Sequence, residues 1–266
     1  MRKAAVLLGI MILTGCRKNQ PPSQENAAEQ QTIVNYDFRL ANRYNHDANA
    51  QTQGLVFSDG FLYEGTGPGR KSPSSLRKVD IKTGDVLQRH NLSGSLWGEG
   101  IAILNDKIYQ LTYVTGIGFI YRLDDFTRLG TFHYSTQGWG LTDDGTNLIM
   151  SDGSSRLYVL DPNTFRIVEH IDVADDNGPV EQLNEMEFID GAIYANIHET
   201  GRIACIDRHT GKVLRTIDLH EILSGLFQDD GYISLANGIA CDHQNKKLYI
   251  TGKFWPYLFE LDMVKK

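Results

Sequence analysis

The chain reads as an all-β protein, a five-bladed β-propeller whose ring is closed by an N-terminal strand. Three observations predict this. The first is composition: 266 residues with 41% apolar and 22% charged side chains make a globular core, and 26 glycines against seven prolines accompany many short β-rich runs. The second is a fivefold self-similarity at a period of roughly 40 to 50 residues with four short strands per unit, which is how propeller blades read in sequence. The third is a strand-like segment, Ile33 to Leu40, standing ahead of the first unit while the last unit runs out at Asp262 one strand short.

Each unit repeats the same parts. The openings are Gly54-Leu55, Gly100-Ile101, Gly140-Leu141, Glu185-Met186 and Gly238-Ile239. Second strands follow at Phe61-Leu62-Tyr63, Lys107-Ile108-Tyr109, Asn147-Leu148-Ile149, Ala192-Ile193-Tyr194 and Lys247-Leu248-Tyr249. Third strands are expected to end at Asp80, Asp124, Asp161, Asp207 and Asp262, and four of them run into Asp-, Thr- and Gly-containing turns. Fourth strands are expected at 86–90, 129–133, 167–173 and 213–219. No unit buries both its faces alone, so stacking around an axis closes the core. Pairing Ile33 to Leu40 with the last unit removes the free sheet edge. The apolar pattern from Leu219 to Tyr232 predicts one short helix in a loop.

The first 32 residues read as an address and a tether. Arg2 and Lys3 precede the apolar run Ala4 to Leu13, too short to span a bilayer, so residues 1–15 are expected to be a signal peptide. Leu13-Thr14-Gly15-Cys16 resembles a bacterial lipobox, which implies cleavage before Cys16 and acylation of it. Several acyl chains on one cysteine hold a protein on a membrane where one chain is marginal. Residues 16–32 are polar, a flexible tether on the order of 20 Å in reach. The expected location is therefore the bacterial cell envelope, lipid-anchored, with 33–266 as the folded body. Of the remaining cysteines, Cys205 and Cys241 lie in strand-like runs and are expected to be buried free thiols.

A net charge of −7 and pI near 5.6, with no basic block, exclude a general nucleic-acid surface. Gly65-Thr66-Gly67-Pro68-Gly69-Arg70-Lys71-Ser72 is no phosphate loop, because Arg70 interrupts it and Pro73 forbids the helix that must follow. The eight histidines lack metal spacing, and the Asp-Asp-Gly and Asp-Asp-Asn-Gly runs read as turns. No zinc-protease, nucleophile-elbow or paired Cys-x-x-Cys motif occurs. Nothing in the sequence calls for more than a monomer.

In a propeller the first strands line the axis, and the residues entering them surround one mouth. These entries read Gln51-Thr52-Gln53, Leu96-Trp97-Gly98-Glu99, Gln137-Gly138-Trp139, Leu183-Asn184-Glu185 and Ala236-Asn237. Amides, an acid and two indoles are thus expected to meet, where a merely structural blade carries small or β-branched residues; that excess points to a ligand pocket.

At these residues the chain resembles the plant- and bacterial-type glutaminyl-peptide cyclotransferases. The resemblance rests on Tyr44-Asn45-His46-Asp47, Thr52-Gln53-Gly54-Leu55, Gly98-Glu99-Gly100, Tyr109-Gln110-Leu111-Thr112, Gly138-Trp139-Gly140-Leu141, Ile149-Met150-Ser151-Asp152-Gly153, Leu183-Asn184-Glu185, Tyr194-Ala195-Asn196 and Thr251-Gly252-Lys253-Phe254-Trp255-Pro256, in family order over about residues 44 to 260. It implies a five-bladed propeller that converts N-terminal glutamine of peptides or proteins to pyroglutamate and releases ammonia. It implies Glu99 as the general acid/base. Gln53, Asn184 and Lys253 then grip the amide oxygen or peptide backbone, and Trp97 and Trp139 wall the pocket. No cofactor is implied; a structural calcium, known in some relatives, is the one ion left open.

Three departures stand out: Gln51 replaces a phenylalanine, Tyr113 a tryptophan and His198 another. Each removes aromatic wall, so a looser, wetter pocket with a lower rate or shifted preference is expected. The rival reading is a lipoprotein propeller that binds peptides with little or no turnover. A metal-centred lactone hydrolase is disfavoured, since its axial ion needs converging carboxylates and the entries offer mainly amides.

Overall fold

The computed structural model describes Met1, 33–70 and 72–266; the signal-like stretch, Cys16 and the tether fall outside the described residues. A closing strand β1 (Tyr36–Asn45) precedes blade 1, which is β2 (Gln51–Ser58), β3 (Phe61–Gly67), β4 (Ser75–Asp80) and β5 (Val86–Asn91). Blade 2 is β6 (Gly98–Leu104), β7 (Lys107–Thr112), β8 (Ile117–Arg122) and β9 (Arg128–His133). Blade 3 is β10 (Leu141–Asp143), β11 (Leu148–Met150), β12 (Arg156–Leu160) and β13 (Ile167–Asp172). A two-residue ladder, β14 (Ala174–Asp175) with β15 (Gly178–Pro179), leads to blade 4: β16 (Leu183–Ile189), β17 (Ala192–Ile197), β18 (Arg202–Asp207) and β19 (Val213–Asp218). Blade 5 adds β20 (Ala236–Asp242), β21 (Lys247–Gly252) and β22 (Tyr257–Lys265).

The sheet orders run outward from each first strand, and the fifth sheet is β20-β21-β22-β1. β1 lies antiparallel on β22 from Tyr36 opposite Lys265 to Asn45 opposite Tyr257, with a bulge between Leu40 and Asn42. The closing strand is the expected one, shifted: it begins three residues after Ile33 and runs on through Asn45. First strands touch one another in a closed circuit, β2 to β6 to β10 to β16 to β20 and back to β2. The apolar member of every opening pair, Leu55, Ile101, Leu141, Met186 and Ile239, is buried there.

The opening glycines have a steric cause. A Cβ on Gly54 would stand 2.5 Å from the Ile101 nitrogen, one on Gly100 2.5 Å from the Leu141 nitrogen, and one on Gly140 1.9 Å from the Asn184 carbonyl oxygen. Consecutive first strands thus meet backbone to backbone. In blade 4 Glu185 replaces the glycine, and its buried carboxylate accepts the Leu55 N–H at 3.1 Å and the Ile239 N–H at 2.7 Å.

The third-to-fourth-strand turns share one geometry. Asp80, Asp161 and Asp207 each accept two successive N–H groups of the turn through Oδ1. In blade 2 the equivalent place is Arg122, not Asp124; β8 ends at Arg122, and Asp125 accepts the Thr127 N–H instead. β22 likewise runs past Asp262 to Lys265. The turns need a left-handed residue, which Gly84 and Gly211 provide at φ +77° and +72°. Phe126 and Phe165 adopt φ +57° and +55° there, a strain of about 1–2 kcal/mol. Packing offsets it: Phe126 is buried against Tyr63, and Phe165 stacks on Phe132 at 4.5 Å.

Between blades 4 and 5 there are two helical pieces where one was expected: α1 (Leu219–Leu223), capped by Asp218 accepting the His220 N–H, and a 3₁₀ turn at Asp230–Leu235. Cys205 and Cys241 are buried free thiols, as their strand settings predict.

Candidate active site

The backbone delivers the site residues through two devices, each used in several blades. The first is a β-bulge near the start of the first strand. Register breaks between Thr52 and Gly54, Gly98 and Ile101, Leu183 and Met186, and Ala236 and Ile239 place Gln53, Glu99, Asn184 and Asn237 in or beside the extra residues. A bulge re-aims a side chain that regular pleating would send elsewhere. In blade 3, Trp139 stands ahead of the short β10, its N–H donating to the Ser151 carbonyl at 3.0 Å and its carbonyl accepting the Gly100 N–H at 2.8 Å.

The second device is a cross-hairpin hydrogen bond just past the second strand. The N–H groups of Tyr113, His198 and Lys253 donate to the carbonyls of Trp97, Gln182 and Leu235, each at 2.9 Å. These three side chains are thereby drawn over the same mouth as the bulged residues.

One cavity of about 390 Å³ results, and all eight predicted pocket residues line it: Gln53, Trp97, Glu99, Tyr113, Trp139, Asn184, His198 and Lys253. Gln51, expected as a departure in the wall, lines it too; Glu199, Leu235 and Phe254 complete the wall and are not among the expected site residues. Phe254 was legible as the aromatic after Lys253, and Glu199 as the neighbour of His198. Leu235 ends the 3₁₀ turn and carries no sequence signal. A second cavity of about 430 Å³ lies at the opposite ends of the first strands, with Asp143, Asp144, Glu187 and Asp190 in its wall. It contains no lysine, indole or amide side chain, the groups that the expected chemistry uses. Among the described residues no group of three or more His, Cys, Asp or Glu is arranged to hold a metal ion.

Glu99 is only 5% exposed, and Gln53 Nε2 donates to its Oε1 at 3.1 Å. Burial pushes its carboxyl well above the usual carboxylate range, and the Lys253 ammonium opposes that push without cancelling it. Lys253 is shifted in the complementary direction: burial lowers its pKa, while Glu99 and Glu199 pull it back up. Its ammonium makes no hydrogen bond or ion pair among the described residues, which leaves a cationic donor free in the cavity. Asn184 Oδ1 and Gln51 Oε1 are buried acceptors with no partner there. The site therefore offers one acid whose pKa burial raises, one lysine with no hydrogen-bond partner among the described residues, and two unsatisfied acceptors. That set suits a ligand rich in N–H groups with an oxygen on which negative charge can develop.

Two of the three departures from aromatic walls keep ring contacts. Tyr113 packs tilted on Trp97 at 6.1 Å, and His198 stands edge-on to Trp139 at 5.5 Å. Burial first, and the Lys253 charge second, lower the His198 pKa, so the ring is neutral in the wall.

The sequence model of the glutamine cyclotransferase family matches residues 10–263. A glutaminyl-peptide cyclotransferase of Arabidopsis thaliana is 35% identical over 230 residues, covering 85% of this chain and 71% of its own. The crystal structure of the Myxococcus xanthus glutaminyl cyclase is 32% identical and superposes with a TM-score of 0.77, over 88% of this chain and 100% of that one. With sequence and fold agreeing over nearly the whole described body, the chain belongs to the glutamine cyclotransferase family.

Proposed function

We propose that the protein is a glutaminyl-peptide cyclotransferase, an intramolecular acyl transferase that closes the N-terminal glutamine of peptides or proteins into pyroglutamate and releases ammonia, with Glu99 as general acid/base. The observation that carries this reading is the pairing of a buried, partner-poor carboxylate with an unengaged ammonium in one cavity of about 390 Å³.

The α-amine attacks the γ-amide carbon, and Glu99 takes the proton that the nitrogen sheds. Negative charge gathers on the amide oxygen as the centre becomes tetrahedral, and Lys253 stabilises it in a site where water does not screen the attraction. Glu99 then passes its proton to the departing nitrogen, so ammonia leaves as a neutral molecule. The raised pKa serves the second half: a carboxyl held above the usual carboxylate range keeps the proton it has taken until the departing nitrogen accepts it. Asn184 Oδ1 and Gln51 Oε1 take N–H donors of the amine or backbone, and Trp97 and Trp139 hold the glutamine stem. No step requires a metal ion. Peptides held without turnover remain the rival reading, and no observation favours it.

The test is ammonia release from Gln-initiated peptides by the wild type and Glu99→Gln. Removing a positioned acid/base lowers kcat about 10²- to 10⁴-fold. Near-wild-type turnover in the variant removes Glu99 from its role, and no turnover in either protein favours the binding module. We also propose that residues 1–15 are a signal peptide, that acyl chains on Cys16 tether a monomeric 33–266 body to the cell envelope, and that the chemistry needs no cofactor.

A further inference from the structure

We propose that Asn237 is a positioning residue for Glu99: it holds the oxygen of the Gln53 amide and thereby turns that amide's NH₂ onto the carboxylate. The inference rests on the reading of Glu99 as general acid/base and adds a residue that does not itself line the cavity.

Asn237 sits in the bulge that opens blade 5 and is 0% exposed. Its Nδ2 donates to the Thr52 carbonyl oxygen at 3.0 Å and to Gln53 Oε1 at 3.1 Å. Gln53 Nε2 in turn donates to Glu99 Oε1 at 3.1 Å. An amide side chain has a donor end and an acceptor end of nearly equal size, and only its neighbours decide which faces where. Here the decision comes from a group that can only accept. The main-chain carbonyl of Thr52 requires the NH₂ of Asn237 on its side, and the same NH₂ takes the oxygen of Gln53. Gln53 is left with its NH₂ toward Glu99, so polarity set by the blade 1 backbone passes through blade 5 to the acid of blade 2.

The orientation matters because the two ends act oppositely on Glu99. An N–H on the carboxylate favours the ionised base, whereas a carbonyl oxygen there repels it and tolerates only the protonated acid. Asn237 is itself pinned: the following N–H, of Gly238, donates to Asn196 Oδ1 at 3.1 Å. Asn237 Oδ1 has no partner among the described residues, so the hydrogen bonds this side chain makes are those of its NH₂.

The experiment is the pH dependence of kcat/KM for a Gln-initiated peptide in Asn237→Leu, Gln53→Met and the double variant, with thermal melting alongside. Losing a hydrogen bond to a charged group raises the acid limb by about one pH unit in each single variant. The double variant shows no further rise, because both changes break one chain. An acid limb that stays in place in Asn237→Leu, whatever its melting temperature, makes the residue structural and overturns the proposal; so does a second full rise in the double variant. Should Asn237→Leu not fold, Asn237→Ala carries the same test, since a methyl group has no NH₂ to hold the Gln53 oxygen and adds no charge beside Glu99. The residual activity of Glu99→Gln separates the two levels. If the acid limb persists there, Glu99 is not the titrating base and both readings fall. If it vanishes there but is unmoved in the Asn237 variant, this inference alone fails.

Discussion

Glu64→Gln tests how the ring is held shut. Glu64 on β3 is 1% exposed and receives three donors: Arg77 NH2 at 2.5 Å, the Thr52 hydroxyl at 2.7 Å and His46 Nε2 at 3.1 Å. Arg77 NH1 continues to Asp47 at 2.8 Å, and His46 Nδ1 donates to the Trp255 carbonyl at 2.7 Å. With both ring nitrogens facing acceptors, His46 is an imidazolium, and the quartet of two acids and two cations, buried but for the half-exposed Asp47, is neutral. It ties the segment after β1 to blade 1 and to the loop before β22. Burial raises the Glu64 pKa, but the charges of Arg77 and His46 outweigh it and bring it down from its ordinary 4.5 to about 2. A depression of that size is about 3 kcal/mol at ~1.4 kcal/mol per unit. Removing one partner from a buried ion pair costs about 3–5 kcal/mol, which agrees.

At pH 7 the variant should lose about 3–5 kcal/mol in urea denaturation at unchanged m, and melt roughly 6–20 °C lower. Because the folded pKa is depressed, this contribution is present above 4.5 and is lost as pH falls through about 2. The wild type should therefore weaken across that window, and the variant should show a flatter acid side. A loss under about 1 kcal/mol at pH 7, or equal acid-side slopes in the two proteins, would show that the quartet's attraction only balances its desolvation.

Lys253→Met should lower kcat about 10²- to 10³-fold by removing the oxyanion's cation, and should raise the acid limb because the charge favouring ionised Glu99 is gone. In the same variant the His198 pKa, read by proton NMR, should move up, as Lys253 is one cause of its depression; an unmoved His198 refutes the placement of that charge. Cys16→Ala should abolish incorporation of labelled fatty acid and release the protein from the membrane fraction. Retention of label in that variant sinks the anchor.

Much of this molecule was legible before any coordinate, because a propeller writes its geometry into a repeat. The openings at Gly54, Gly100 and Gly140 mark close backbone contacts between first strands, and the residues beside them converge. What stayed hidden depends on hydrogen-bond direction or on exact register. Asn237 reads as one more polar entry residue, and nothing in the string shows which end of its amide faces Thr52. Spacing makes Asp124 match Asp80 as a strand terminus, yet the turn there is built on Arg122 and Asp125. Apolar pattern marks a strand's existence better than its ends, so the closing strand reads from Ile33 although it begins at Tyr36. Gln51 reads as a lost phenylalanine, and its unpartnered oxygen in the cavity wall appears only in three dimensions.

The contact of first strands around Gly54, Gly100 and Gly140, with Glu185 reaching to β2 and β20, gathers the blades at points that admit no added side chain. A methyl group at any of those three glycines would push two blades apart, and with them the cavity residues Gln53, Glu99 and Asn184. The spacing of the pocket is thus held by residues that have no side chain to offer a ligand.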